Sequence, residues 1–217
     1  MIKGIWILLV LIFTSALPVI VVFFWLRAGK SSLKLPWFLL SLAAGIISLL
    51  AAALIQNLIP SGGRGTGPGL LFFRYFVRIA LVEEASRFLV LVPLFKAKRG
   101  RSFAAALGLV AGLGFATLEN AIYGIADVNI ALLRAFSASP LHGACGIRAG
   151  AAVFCSRESP ASALFLSLSA VFIHGAYNLI IDSPFFPSAL AILVAFAALF
   201  ASLHFLKNAE SHPEELP

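Results

Sequence analysis

Residues 81–92 read LVEEASRFLVLV. Two adjacent carboxylates, Glu83 and Glu84, and one guanidinium, Arg87, interrupt a run that is otherwise apolar. In water such a stretch would be an ordinary amphipathic helix; in lipid it would be an expensive one. The rest of the chain decides between these. Of its 217 residues, 61% are hydrophobic and 12% charged, and the mean hydropathy is +1.01. Soluble domains carry about 25% charged residues and rarely repeat long apolar runs. The composition therefore describes an integral membrane protein.

Seven apolar segments can be placed, at about 4–26, 36–59, 70–95, 103–125, 130–156, 160–181 and 185–206. Each approaches the roughly 20 residues a helix needs to cross a bilayer. The expected architecture is all-α: one transmembrane domain over residues 1–217, built as a polytopic bundle of about seven helices. Lys3 and the apolar run behind it resemble a signal peptide, but that run continues unbroken to Leu26. Signal h-regions are shorter, and a retained first helix is expected. Cys145 and Cys155 lie ten residues apart on one segment. That is about 15 Å of helical rise, too far for a disulfide.

The net charge of +7 follows the positive-inside rule and implies no nucleic-acid partner. Arg27, Lys30, Lys34, Lys96, Lys98, Arg99, Arg101, Arg157 and Lys207 fall on one side; Lys3, Arg64 and Arg134 fall on the other. Nine against three predicts the N-terminus outside and the C-terminus in the cytoplasm.

Ionisable groups inside spanning helices cost roughly 3 kcal/mol on the mildest scale and mark candidate sites by default. The third segment holds Glu83, Glu84 and Arg87, and the fourth holds Glu119 and Asn120. The fifth holds His142, and the sixth holds His174 and Asn178, with Asp182 a further turn on. Counted from the cytoplasmic helix ends at about 1.5 Å per residue, Glu84 sits about 17 Å up, and His142 and His174 about 21 Å. Glu119 and Asn178 sit at about 26 and 27 Å. Four helices thus bring polar groups to one level, between the bilayer centre and the outer face. Both glutamates are within helical reach of Arg87, at i, i+4 and i, i+3. Pro140 is expected to disturb the fifth helix beside His142. Gly108, Gly112, Gly146 and Gly150 form small-xxx-small pairs that allow helices four and five to approach closely.

Glutamates and histidines gathered in a protected site suit water activation. A carboxylate can act as general base, and histidines can hold a metal or stabilise an oxyanion. Neither a GxSxG nor an HExxH motif is present. A proton-coupled transporter or channel, or a non-catalytic scaffold, uses similar groups and stands as the alternative.

The ordered set Glu83-Glu84-x-x-Arg87, Phe115-x-x-x-Glu119-Asn120, His142 and His174-x-x-x-Asn178 resembles the PrsW family of intramembrane proteases. That family is related to the CAAX prenyl proteases and to APH-1. The resemblance covers about residues 70–182, the expected catalytic core, and departs in having Arg87 where Lys is more usual. It implies cleavage of a membrane-anchored protein, such as an anti-sigma factor, in a bacterial cytoplasmic membrane; the depth of the polar layer and the N-terminus-out topology put that cleavage near the outer face. Glu83, Glu84, Glu119, His142 and His174 are the expected catalytic residues, supported by Arg87, Asn120 and Asn178. Two mechanisms stay open: a metal-independent glutamate base, slightly preferred, or Zn²⁺ held by Glu84, His142 and His174.

Overall fold

The computed structural model describes residues 2–29, 33–60, 67–95, 100–183 and 186–207. The basic loop at 96–99, most of the Gly-rich link at 61–66 and the tail from 208 onward lie outside the described residues. All regular structure among the described residues is helical.

Seven helical rods follow one another. We label them α1 (Ile2–Ala28), α2 (Leu35–Leu58), α3 (68–95), α4 (Arg101–Ala126), α5 (Val128–Cys155), α6 (Pro160–Asp182) and α7 (Ser188–Lys207). Local chemistry sets several starts. Proline opens α2 and α6 within the first turn, where its missing N–H costs nothing. Ser159 caps α6 through the amide of Ser162, and Asp127 caps α5 through the amide of Asn129 at 2.9 Å.

α2, α4, α6 and α7 are long and apolar enough to cross a membrane. In α1 the described apolar stretch is Phe13–Ala28. α3 and α5 are the rods that carry the in-helix charges Glu83, Glu84, Arg87, Arg134 and Arg148. Large apolar side chains such as Leu54, Leu58, Leu89, Phe165, Phe172 and Phe200 face outward. Around a buried polar centre, that is the arrangement of a protein dissolved in lipid. The chain is a multi-pass membrane protein.

α4 and α5 form the spine. A Cβ built on Gly108 would lie 2.0 Å from the Gly146 carbonyl oxygen, and one on Gly112 would lie 2.0 Å from that of His142. Gly146 and Gly150 meet the Gly108 and Ala104 carbonyls just as closely. The small-residue pairs bring the two backbones together as expected, and so set how far His142 stands from α4.

Two local expectations change. α5 runs unbroken through Pro140 from Val128 to Cys155, so the expected disturbance does not end the helix. α3 instead holds an irregularity that no sequence pattern announced. Pro68–Phe72 is α-helical, Phe73–Leu81 is a π-helix, Val82–Leu91 returns to α and Val92–Phe95 tightens to 3₁₀. The wide turns end at Leu81, two residues before Glu83, and set its register; π segments are frequent at functional sites.

Candidate active site

The opening stretch answers its own question through the two directions of its carboxylates. Glu83 and Glu84 follow each other on α3, about 100° apart around the axis. Glu84 turns to Arg87, one helical turn on, and forms an ion pair with its Nη1. Its other oxygen, Oε1, accepts a hydrogen bond from His174 Nδ1 of α6 at 2.8 Å. Glu83 turns the other way. Its Oε1 accepts from Gln56 Nε2 of α2 at 3.0 Å. Its Oε2 is buried and has no hydrogen-bond partner among the described residues. The sequence spacing let both glutamates reach Arg87; only Glu84 pairs with it.

Arg87 is fully buried. Nη2 donates to His142 Nδ1 of α5 at 3.2 Å, and the guanidinium lies 4.6 Å from the centroid of the Phe115 ring. Phe115 also packs on the His142 imidazole, with ring centroids 4.8 Å apart. The phenylalanine of the FxxxEN element thus backs both an arginine and a histidine.

His142 is held from both sides. Because arginine only donates, Nδ1 is the acceptor and Nε2 carries the proton. Nε2 donates to Glu119 Oε2 of α4 at 2.8 Å. The same oxygen meets Arg134 Nη2 of α5 at 2.7 Å. Arg134 Nε donates to Asn120 Oδ1 at 3.1 Å, and Asn120 Nδ2 donates to Ser139 Oγ at 3.0 Å. The Arg134 guanidinium also stacks 4.1 Å from the Tyr123 ring.

The structure therefore brings Glu83, Glu84, Arg87, Glu119, His142 and His174 into one connected cluster, with Asn120 joined through Arg134. Asn178 is half-buried, and no described residue hydrogen-bonds its side chain. Asp182 is exposed, as its position near the end of α6 suggested. Cys145 and Cys155 are free thiols.

Three groups were missed. Gln56 sits two residues from the end of α2, where a polar side chain attracts no notice. Arg134 was counted as an outer-side charge, although it turns inward to Glu119; without it the orientation count is nine against two. Arg78, near the outer end of α3, was not counted among the candidate residues. It donates to the carbonyls of Gln56 at 3.1 Å and Ile59 at 3.2 Å, covering the end of α2.

Glu83, His142 and His174 offer donor atoms that all lie within 4.8 Å of one another, a grouping able to hold a metal ion. This differs from the expected set: Glu84 is engaged by Arg87 and His174, and Glu83 takes its place. The chemistry of the donors fits. His174 Nδ1 donates to Glu84; in the neutral imidazole this leaves Nε2 as an acceptor, and in the protonated one Nε2 donates as well. That nitrogen faces Glu83 Oε2, an acceptor, at 3.6 Å, which suits a cation or a proton between them. A carboxylate holding the far nitrogen of a histidine ligand is the usual outer-shell arrangement of zinc sites.

A buried carboxylate–histidine cluster inside a helical membrane protein is a site suited to water activation or proton transfer. Residues 34–203 match the pattern described as PrsW family intramembrane metalloprotease, and the chain belongs to that family. No curated protein and no solved structure matches it. The family membership groups the chain with proteases rather than with transporters or channels. The site is compatible with zinc.

Proposed function

We propose that the protein cleaves a membrane-anchored protein substrate near the outer face of a bacterial cytoplasmic membrane. The substrate class is a single-pass regulatory protein such as an anti-sigma factor. In this reading Glu83, His142 and His174 would hold Zn²⁺, which acidifies water and polarises a peptide carbonyl when bound. The chain's own residues do the rest. Glu84 fixes the His174 tautomer so that Nε2 faces the site. Arg87 neutralises Glu84 and orients His142. Glu119 is the general base: Arg134 and His142 both meet its Oε2, which leaves Oε1 for the proton of the attacking water. His142 lets go of either Arg87 or Glu119 to contribute a ligand nitrogen.

The observation that carries this reading is the gathering of Glu83, His142 and His174 donor atoms within 4.8 Å of one another, with His174 Nε2 facing Glu83 Oε2 at 3.6 Å. The outward location rests on a gradient of exposure. Side chains are 0% exposed at Arg87 and 3% at Glu84 and His174, 8% at Glu83, and 14% and 17% at Arg134 and Glu119. The more exposed members stand toward the end of α4 and the start of α5, on the outer side in the N-terminus-out topology. Water and a partly unwound peptide would meet the site there.

A metal-free reading has its own support, because both ring nitrogens of His142 already have partners. In that case Glu83 Oε2 is the base and the two histidines hold the oxyanion. Metal analysis of purified protein separates the two. One zinc per chain, lost in Glu83→Gln but kept in the inactive Glu119→Gln, is the expected result. Full cleavage by protein stripped of zinc would overturn the metal reading.

A further inference from the structure

A second cluster of polar groups lies at the opposite end of the bundle from the catalytic residues. The last turn of α5 and the first turns of α4 and α6 meet the end of α7 around a pocket of about 400 Å³. Arg101, Ser162 and Cys155 contribute its polar and thiol atoms, and Phe165, Leu166 and Phe205 its apolar wall. Arg101 is the first residue of α4. Its Nε is buried without a hydrogen-bond partner, and the side chain has no ion pair among the described residues. Its guanidinium lies 5.0 Å from the centroid of Phe205. Arg148 lies 5.5 Å from the centroid of the same ring. Arg148 is buried and reaches only hydroxyls, Ser202 Oγ at 3.1 Å and Ser169 Oγ at 2.9 Å. Glu158, the acidic residue nearest in sequence, makes no ion pair among the described residues.

Two guanidiniums therefore share one aromatic ring, and among the described residues neither is paired with a carboxylate. A partly desolvated arginine without an anion is costly, and its planar fork suits a phosphate best. The α6 N-terminus adds to this. Ser159 caps the amide of Ser162 at 3.4 Å, and Pro160 has no amide to offer. The Ser162 hydroxyl, 2.9 Å from Ser159 Oγ, and the positive end of the helix remain on the pocket side. Phe165 lies one turn deeper and is 69% exposed, which offers an apolar surface running from the polar mouth into the membrane. A phosphate with acyl chains attached matches both halves; a soluble anion matches only the first. The neighbouring residues Lys96, Lys98 and Arg99 put this end of the bundle at the cytoplasmic surface, where basic pockets between helices receive anionic headgroups.

We infer that this pocket binds the headgroup phosphate of an anionic phospholipid, with Arg101 as its main contact and Arg148, beside the same Phe205 ring, adding charge. The site is separate from the catalytic cluster, and the inference does not depend on how that cluster works. Its test uses the full-length protein in nanodiscs of phosphatidylcholine doped with spin-labelled lipid, either phosphatidylglycerol or phosphatidylcholine. The wild type is expected to immobilise labelled phosphatidylglycerol in preference to phosphatidylcholine. Arg101→Gln should lose that preference and Arg101→Lys should keep part of it. Arg157→Gln, a cation held by the Phe95 carbonyl at 2.8 Å and outside the pocket, should leave it unchanged. Excess inorganic phosphate should not displace the lipid. Equal immobilisation of both lipids by the wild type would overturn the inference, as would a full preference in Arg101→Gln. Displacement by inorganic phosphate would overturn the lipid as the source of the anion. Should Arg101→Gln not insert, Ser162→Ala gives the same reading with a weakened preference.

Discussion

His174 joins the two adjacent glutamates of α3 while treating them differently. Its Nδ1 donates to Glu84 Oε1 at 2.8 Å, and its Nε2 faces Glu83 Oε2 at 3.6 Å. One imidazole thus separates a saturated carboxylate from one with a free oxygen. Neighbouring residues of identical type acquire different duties because helix geometry aims them at different partners.

That asymmetry predicts different failures. Glu84→Gln leaves Arg87 buried without its counter-ion, and removing one member of a buried pair costs about 3–5 kcal/mol. The variant is expected to lose both cleavage and several degrees of thermal stability in detergent. Glu83→Gln leaves the Glu84–Arg87 pair in place and should lose less thermal stability than Glu84→Gln, while losing cleavage. Equal melting temperatures for the two variants would count against the division of roles.

Arg87→Lys tests how much of the arginine is charge. Lysine keeps the pairing with Glu84 but has one nitrogen, and cannot also reach His142 Nδ1 while lying over Phe115. Cleavage is expected to fall by about tenfold to a hundredfold, the usual effect of losing an outer-shell contact, with the fold intact. Arg87→Met should abolish activity. A lysine variant as active as the wild type would show that His142 needs no such orientation.

Arg134 should matter although it stands outside the family-like motifs. It holds Glu119 Oε2 and Asn120 Oδ1 together. Arg134→Gln is expected to reduce kcat by about tenfold or more through misplacement of Glu119, while zinc content stays at the wild-type level. Loss of zinc in this variant would instead make Arg134 part of the ligand scaffold.

The α4–α5 contact can be tested by a single methyl group. Gly112→Ala would put a Cβ 2.0 Å from the His142 carbonyl oxygen, and neither backbone can yield. Overpacking of this kind costs about 1–3 kcal/mol or more, and here it also shifts a site histidine. Both cleavage and thermal stability should fall. Gly143→Ala is the control, because its Cβ would meet the flexible Leu109 side chain at 3.2 Å. Similar effects at both positions would argue against the backbone contact.

Much of this architecture is legible before any coordinates. Apolar run lengths place all seven rods to within a few residues. The cost of charge in lipid singles out Glu83, Glu84, Arg87, Glu119, His142 and His174, and the depth count brings them to one level. The argument fails where a polar residue has an ordinary excuse. Gln56 stands near a helix end, and Arg134 falls where the chain could still be loop. Arg148 reads as one more cation in a run of small residues. The π-helix at Phe73–Leu81 leaves no periodic trace, because a wide turn changes which residues share a face without changing which are apolar.

What the sequence determines by itself is membership: the chain lives in lipid, and a short set of costly residues must find one another there. Solvation free energy acts on each residue separately and so can be read one residue at a time. Pairing cannot. Whether Glu83 or Glu84 takes Arg87 depends on the rotation of α3 against α2, α5 and α6. That rotation is set by the π turn before Glu83 and by where each neighbouring helix stands, and His142 stands where the glycine contact of α4 and α5 puts it. Only the packed helices decide it, because a hydrogen bond needs two partners within about 3 Å, and that distance exists only between rods whose order in space the chain does not spell out.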